Sequence, residues 1–149
     1  MDGTESASET LPQPLLLPDT TTPAPQPVVP LPEAKPGNWR LIFQVGSANR
    51  IVSLEITDQI IIGRSDPDQQ YIADLDLTPF NGRAAGVSRR HVILYLSHGM
   101  LYIRDLGSAN GTEVNGIWLE PQHLYRLNEG DRISLGKLDL LLFFAQPLS

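Results

Sequence analysis

The sequence predicts an all-β sandwich. Three observations carry this. Short runs of strand-forming residues recur about every ten residues from Trp39 to Phe144. Turn residues separate them at almost every junction, Asn115-Gly116 being the strongest signal. No segment shows the apolar spacing of an amphipathic helix.

The runs follow in order. Trp39–Val45 is mostly apolar and stops at Gly46-Ser47-Ala48-Asn49. Ile51–Ile56 alternates, with Ile51, Ser53 and Glu55 opposed to Val52, Leu54 and Ile56. Gln59–Ile62 is a β-branched run closed by Gly63. A long connection follows from Arg64 to Ser88, with turn signals at Asp66-Pro67-Asp68, Thr78-Pro79 and Asn81-Gly82. A connection of that length inside a compact domain is usually functional, and Asp74–Leu77 is expected as a short edge strand within it. His91–Leu96 and Met100–Leu106 flank Ser97-His98-Gly99 and should form a hairpin. Gly111–Val114, Ile117–Leu119, Leu124–Leu127, Arg132–Leu135 and Leu138–Phe144 complete the set, with a further turn at Asn128-Glu129-Gly130-Asp131.

Composition bounds the function. The chain has 149 residues, enough for one domain, and a net charge of −6, which argues against non-specific nucleic-acid binding. Residues 1–37 hold five acids and one base; the remaining segment holds twelve acids and ten bases and is nearly balanced. Residues 1–37 are rich in Pro and Thr, acidic and almost free of aromatics, so they are expected to be a disordered tail ahead of a domain at 38–146. There is no cysteine, which excludes disulfides and thiolate zinc sites and suits a reducing cytoplasm. Leu15-Leu16-Leu17 lies in an acidic, proline-broken stretch and does not read as a signal peptide, and no apolar run is long enough for a membrane helix. The expectation is a cytoplasmic monomer without metal, cofactor or membrane attachment.

The chemistry concentrates in Gly63-Arg64, Ser88-Arg89-Arg90-His91 and Asn110-Gly111-Thr112. Two of these arginines, Arg64 and Arg89, join the Ser88 hydroxyl and the Asn110 carboxamide on turns between strands. A guanidinium is planar, permanently charged and forked, which suits phosphate oxygens. No nucleophile–base pair or metal-ligand set accompanies them, so the group reads as a device that holds a phosphate without reacting with it. Ser88 and His91 are the nearest approach to a catalytic pair, and the catalytic reading is rejected: no enzyme is expected.

These motifs resemble the forkhead-associated (FHA) domain. The parts fall in the family's order: Gly63-Arg64, Ser88-x-x-His91, Asp105-Leu106-Gly107-Ser108-x-Asn110-Gly111-Thr112-x-Val114-Asn115-Gly116, Gly130-Asp131 and Leu135-Gly136. The resemblance implies a two-sheet antiparallel β-sandwich of about eleven strands, FHA/SMAD-like, that binds phosphothreonine through loops at one end. It also implies that Arg64 and Ser88 contact the phosphate, that Arg89 helps bind phosphate or peptide backbone, and that a buried His91 hydrogen-bonds loop backbone. A solvated Arg64 or a turn-capping Ser88 is the plainer alternative.

Asn110 combines a donor and an acceptor on one plane and suits the peptide main chain; a left-handed turn before Gly111 is its alternative, and both can hold. Gly63, Gly111 and Thr112 are expected to shape the site. Adjacent residues near a strand start point opposite ways, which assigns Arg89 to the site and leaves Arg90 to solvent or a salt bridge. Arg83 is a candidate specificity residue, equally readable as solvated. The expected partner is a phosphothreonine-bearing protein, a Ser/Thr kinase or its substrate, or the chain's own tail phosphorylated at Thr20, Thr21 or Thr22. The rival is a phospho-independent scaffolding domain of the same fold.

Overall fold

The alternation along the chain closes into two six-stranded sheets. A computed structural model describes residues 27–28, 39–47 and 50–145. In chain order the strands are β1 (Pro27–Val28), β2 (Trp39–Val45), β3 (Arg50–Ile56), β4 (Gln59–Gly63), β5 (Leu75–Asp76) and β6 (Arg90–Ser97), then β7 (Met100–Asp105), β8 (Thr112–Val114), β9 (Ile117–Trp118), β10 (Leu124–Leu127), β11 (Arg132–Leu135) and β12 (Leu138–Ala145). One sheet runs β9-β8-β11-β12-β2-β3 and the other β1-β10-β7-β6-β4-β5.

The period-2 pattern is what builds the core. In β2, Trp39, Leu41, Phe43 and Val45 are buried, while Arg40, Ile42 and Gln44 between them are not. Leu138, Leu140 and Leu142 of the neighbouring β12 share that core, and Leu101 and Ile103 of β7 meet it from the other sheet. Each such side chain contributes about 1.5–3 kcal/mol by leaving water. The β6–β7 hairpin pairs Val92 with Asp105 through Ser97 with Met100. His98 and Gly99 turn it with φ of 52° and 75°, and Asn115 and Gly116 turn β8 into β9 with φ of 55° and 81°. Positive φ at both central residues matches the right-handed twist of the flanking strands.

Three features depart from the sequence reading. The sheets are not wholly antiparallel: β4 and β5 run parallel, with Ile62 opposite Leu75 and Gly63 opposite Asp76, because the chain loops back before re-entering the edge. Pro27 and Val28, inside the segment expected to be a disordered tail, pair with Tyr125 and Leu124 as an edge strand. A proline, lacking an N–H, is tolerated in a sheet at an edge and at the first residue of a strand, and Pro27 is both. The remainder of 1–37, including Thr20, Thr21 and Thr22, lies outside the described residues. Finally, the long connection contains a single α-helical turn, Gly82–Ala85, preceded by 3-10 turns at Pro67–Gln69 and Thr78–Phe80. At four residues it is too short to show an amphipathic period.

Candidate functional site

Three loops meet at one end of the sandwich, and backbone contact joins the first two. A Cβ on Gly63 would lie 1.9 Å from the carbonyl oxygen of Arg89, so only glycine lets the chains approach this closely. The adjoining Arg64 N–H donates to that same Arg89 carbonyl at 3.0 Å, and the Gly63 carbonyl accepts from Leu77 N–H at 2.7 Å. Asp76 of β5 steadies the next residue, accepting from Ser65 N–H at 3.0 Å. Burial works against the Asp76 charge, but hydrogen bonds from Thr78 and Ser65 outweigh it and hold its pKa below the ordinary carboxylate value.

Arg64 is half-buried, and its Nε–H donates to the Val87 carbonyl at 2.5 Å. That bond uses Nε and leaves the two terminal nitrogens of the fork as further donors.

His91 locks the second loop to the third. It is fully buried; its Nδ1 accepts from Ser88 N–H at 2.9 Å, and its Nε2 lies 2.9 Å from the Gly111 carbonyl. An amide can only donate and a carbonyl can only accept, so the ring is neutral with its proton on Nε2. Burial depresses its pKa, outweighing the Gly111 carbonyl and the Asp105 carboxylate, which favour the proton.

Ser88 Oγ accepts from Ala109 N–H at 3.0 Å, which leaves its own hydroxyl hydrogen available to donate. Asn110 donates from Nδ2 to the Gly86 carbonyl at 2.9 Å, and its Oδ1 has no partner among the described residues. The left-handed alternative for Asn110 is not taken; Gly111 carries that conformation, with φ +84°. The Trp118 ring lies against Gly111, 2.6 Å from where a Cβ would stand.

The third loop is folded by Asp105. This buried carboxylate accepts from Ser108 Oγ and Thr112 Oγ1, both at 2.6 Å, and from Gly107 N–H at 2.8 Å and Ser108 N–H at 3.0 Å. Burial penalises its charge, yet the hydroxyl and amide donors prevail and hold its pKa below the ordinary value. Thr112 therefore sits beneath the site, acting on it through Asp105. Asp105 opens the motif quoted from the sequence but receives no role there, although an Asp followed three residues later by Ser is a turn-forming pattern.

The two neighbouring arginines behave differently from each other. Arg89 is half-exposed and ion-paired with Asp66 at 2.8 Å, a partner the sequence reading did not name. Arg90 pairs with neither a carboxylate nor bulk solvent alone: its guanidinium lies over the Tyr71 ring, 5.5 Å from the centroid. Its cause is the return of the Pro67–Tyr71 segment alongside β6. Between these side chains lies a cavity of about 550 Å3 lined by Gln69, Gln70, Tyr71, Ser88, Arg89 and Arg90. Arg83 is exposed on the single helical turn, two residues before the Ala85–Gly86 step, and its side chain has no partner among the described residues.

The structure thus joins Gly63, Arg64, Ser88, Arg89, His91, Asn110 and Gly111 by direct contacts, with Thr112 below and Arg83 alongside. Proton transfer from Ser88 to His91 has no route here. The ring meets the backbone N–H of Ser88, not its hydroxyl, and both ring nitrogens are occupied. Among the described residues no group of three or more His, Asp or Glu side chains is placed to hold a metal, and no helix is long and apolar enough to cross a membrane.

A profile of the FHA domain matches residues 60–136, just over half of the chain. The chain belongs to the FHA family. FraH from Nostoc sp. is 43% identical over 77 residues, covering 52% of this chain and 26% of FraH. This chain therefore spans about a quarter of that relative's length. The FHA domain of the CT664 protein from Chlamydia trachomatis superposes with a TM-score of 0.55 at 29% identity, over 70% of this chain and 96% of that one. An FHA domain solved in a structural and functional analysis of phosphothreonine-dependent interactions gives a TM-score of 0.55 at 29% identity, over 73% of this chain and 99% of that one. The two sheets described above are the FHA sandwich, and the loops gathered by His91 stand at one end of it.

Proposed function

We propose that this FHA domain binds a phosphorylated threonine in a partner protein and leaves the ester intact. One observation carries the reading: Arg64, Ser88 and Asn110 come from three separate loops, and the buried His91 and the glycine contacts hold those loops together. Phosphate brings about −1.5 to −2 charges and three acceptor oxygens. Arg64, Ser88 and Arg89 supply charge-assisted hydrogen bonds worth about 1.5–3 kcal/mol each. The partner is a protein phosphorylated by a Ser/Thr kinase, or the kinase itself; Thr20, Thr21 and Thr22 are candidate ligands within the chain. Preference for threonine over serine rests on the family likeness and is worth about 1 kcal/mol for one methyl group.

The test is a titration with one peptide in phosphothreonine, phosphoserine and unmodified forms. The phosphothreonine form binds best, and Arg64→Ala weakens it at least about tenfold while melting normally. Equal affinity for the phosphorylated and unmodified peptides would discard this reading in favour of a phosphate-independent scaffold.

A further inference from the structure

A second concavity, of about 760 Å3, shares no lining residue with the cavity beside Ser88. Its cations come from three places: Arg50 at the start of β3, Arg132 at the start of β11 and Lys137 in the β11–β12 turn. The Arg50 guanidinium lies 4.6 Å from the centroid of the Phe80 ring, which also lines the groove. The side chains of Arg132 and Lys137 are exposed and meet no carboxylate among the described residues. Asp139 is the acid in the lining, and its carboxylate is engaged by Ser134 Oγ at 2.7 Å. Three cations against one acid stand out on a chain whose net charge is −6.

The groove adjoins the site already described. Lys137 N–H donates to the Ala85 carbonyl at 2.8 Å, and a Cβ on Gly136 would stand 2.5 Å from that oxygen and 3.0 Å from the Gly86 carbonyl. The Gly86 carbonyl is the one that holds the Asn110 carboxamide. A peptide that passes Asn110 and continues over Ala85–Gly86 reaches the edge of this groove at Gly136-Lys137.

We propose that this groove binds an acidic stretch of the same polypeptide whose phosphothreonine occupies the Arg64 site, several residues away along the chain. The inference rests on the phosphothreonine reading for its first anchor. Carboxylates suit the groove better than a nucleic acid does. Three cations cannot offset the long-range repulsion between a polyanion and a net-negative protein, whereas a few Asp or Glu side chains need only local pairing.

The full chain is titrated with a short phosphothreonine peptide, with the same peptide extended by Asp/Glu residues on one side or the other, and with the unphosphorylated acidic segment alone. Amide signals of Lys137 and Leu138 are followed. An extension on one side tightens binding about tenfold, the summed effect of several exposed ion pairs. The double variant R132E/K137E loses that gain, as does about 0.5 M salt, yet binds the short peptide within about twofold of wild type and melts with it.

If the short phosphopeptide binds but neither extension helps, or the gain survives charge reversal, the groove assignment fails and the phosphate reading stands. If no phosphopeptide binds while the acidic segment alone shifts the Lys137 and Leu138 amides in wild type only, the phosphate reading and the linkage fail and the groove alone is kept. A single-stranded oligonucleotide that displaces the acidic peptide from these amides would overturn the proposal.

Discussion

Nothing larger than hydrogen fits at Gly63, because the carbonyl of Arg89 occupies the space. Gly63→Ala must push two backbones apart, at a cost of about 1–3 kcal/mol. Arg64 and Ser88 would separate with them, so phosphopeptide affinity should fall along with the melting temperature. At His91 the question is protonation. The folded protein holds the ring neutral, whereas the unfolded chain takes up a proton near the ordinary value of 6.5. Stability from this group is complete above that value and is lost as pH falls from it toward the depressed folded value. Asp105 acts lower: its contribution is present above 3.8 and is lost as pH falls through its reduced folded value. Melting curves between about pH 7.5 and 5.5 should show a decline for wild type that His91→Gln lacks. The same assay should show His91→Ala losing more stability than Ser88→Ala, since only the histidine is fully buried and bonded to two loops.

Among the elements, the β7–β8 connection depends most on side chains. Thr112→Val keeps the shape of a buried residue but removes a hydroxyl from the Asp105 carboxylate. The expected loss is about 1.5–3 kcal/mol, the range for a hydrogen bond to a charged group, read from thermal or urea melts. The strands themselves were legible in the sequence wherever one face is buried, as in β2, because alternation fixes which residues turn inward. The Asn115-Gly116 and His98-Gly99 turns were legible because few dipeptides tolerate positive φ twice. The long connection was not. Asp66 lies 23 residues before Arg89 and meets it only after the chain has turned back. The parallel pairing of β5 likewise depends on the path of that loop, which no local pattern records. Pro27–Val28 was illegible for another reason: proline-rich composition describes a tail, and a two-residue edge strand is set by the partner β10 rather than by its own sequence.

At the scale of the molecule, strand order within one sheet separates the first strand from Gly63. β1 lies at one edge of its sheet, and β4 and β5, which carry Gly63 and anchor Ser65, lie at the other. Removing residues up to Val28 should therefore cost about 1 kcal/mol, lowering the melting temperature by about 4 °C. Phosphopeptide affinity should be unchanged; a parallel loss of binding would show that the first strand reaches the recognition loops.

The central imidazole also has a consequence for motion. The Ser88 amide is protected by a ring nitrogen, and that ring cannot rotate without releasing Gly111 at its other side. The Ala109 amide is protected in turn by the Ser88 hydroxyl. Hydrogen–deuterium exchange at Ser88 and Ala109 should then proceed through one shared opening, with a single apparent rate, so that the rim of the domain breathes as a unit.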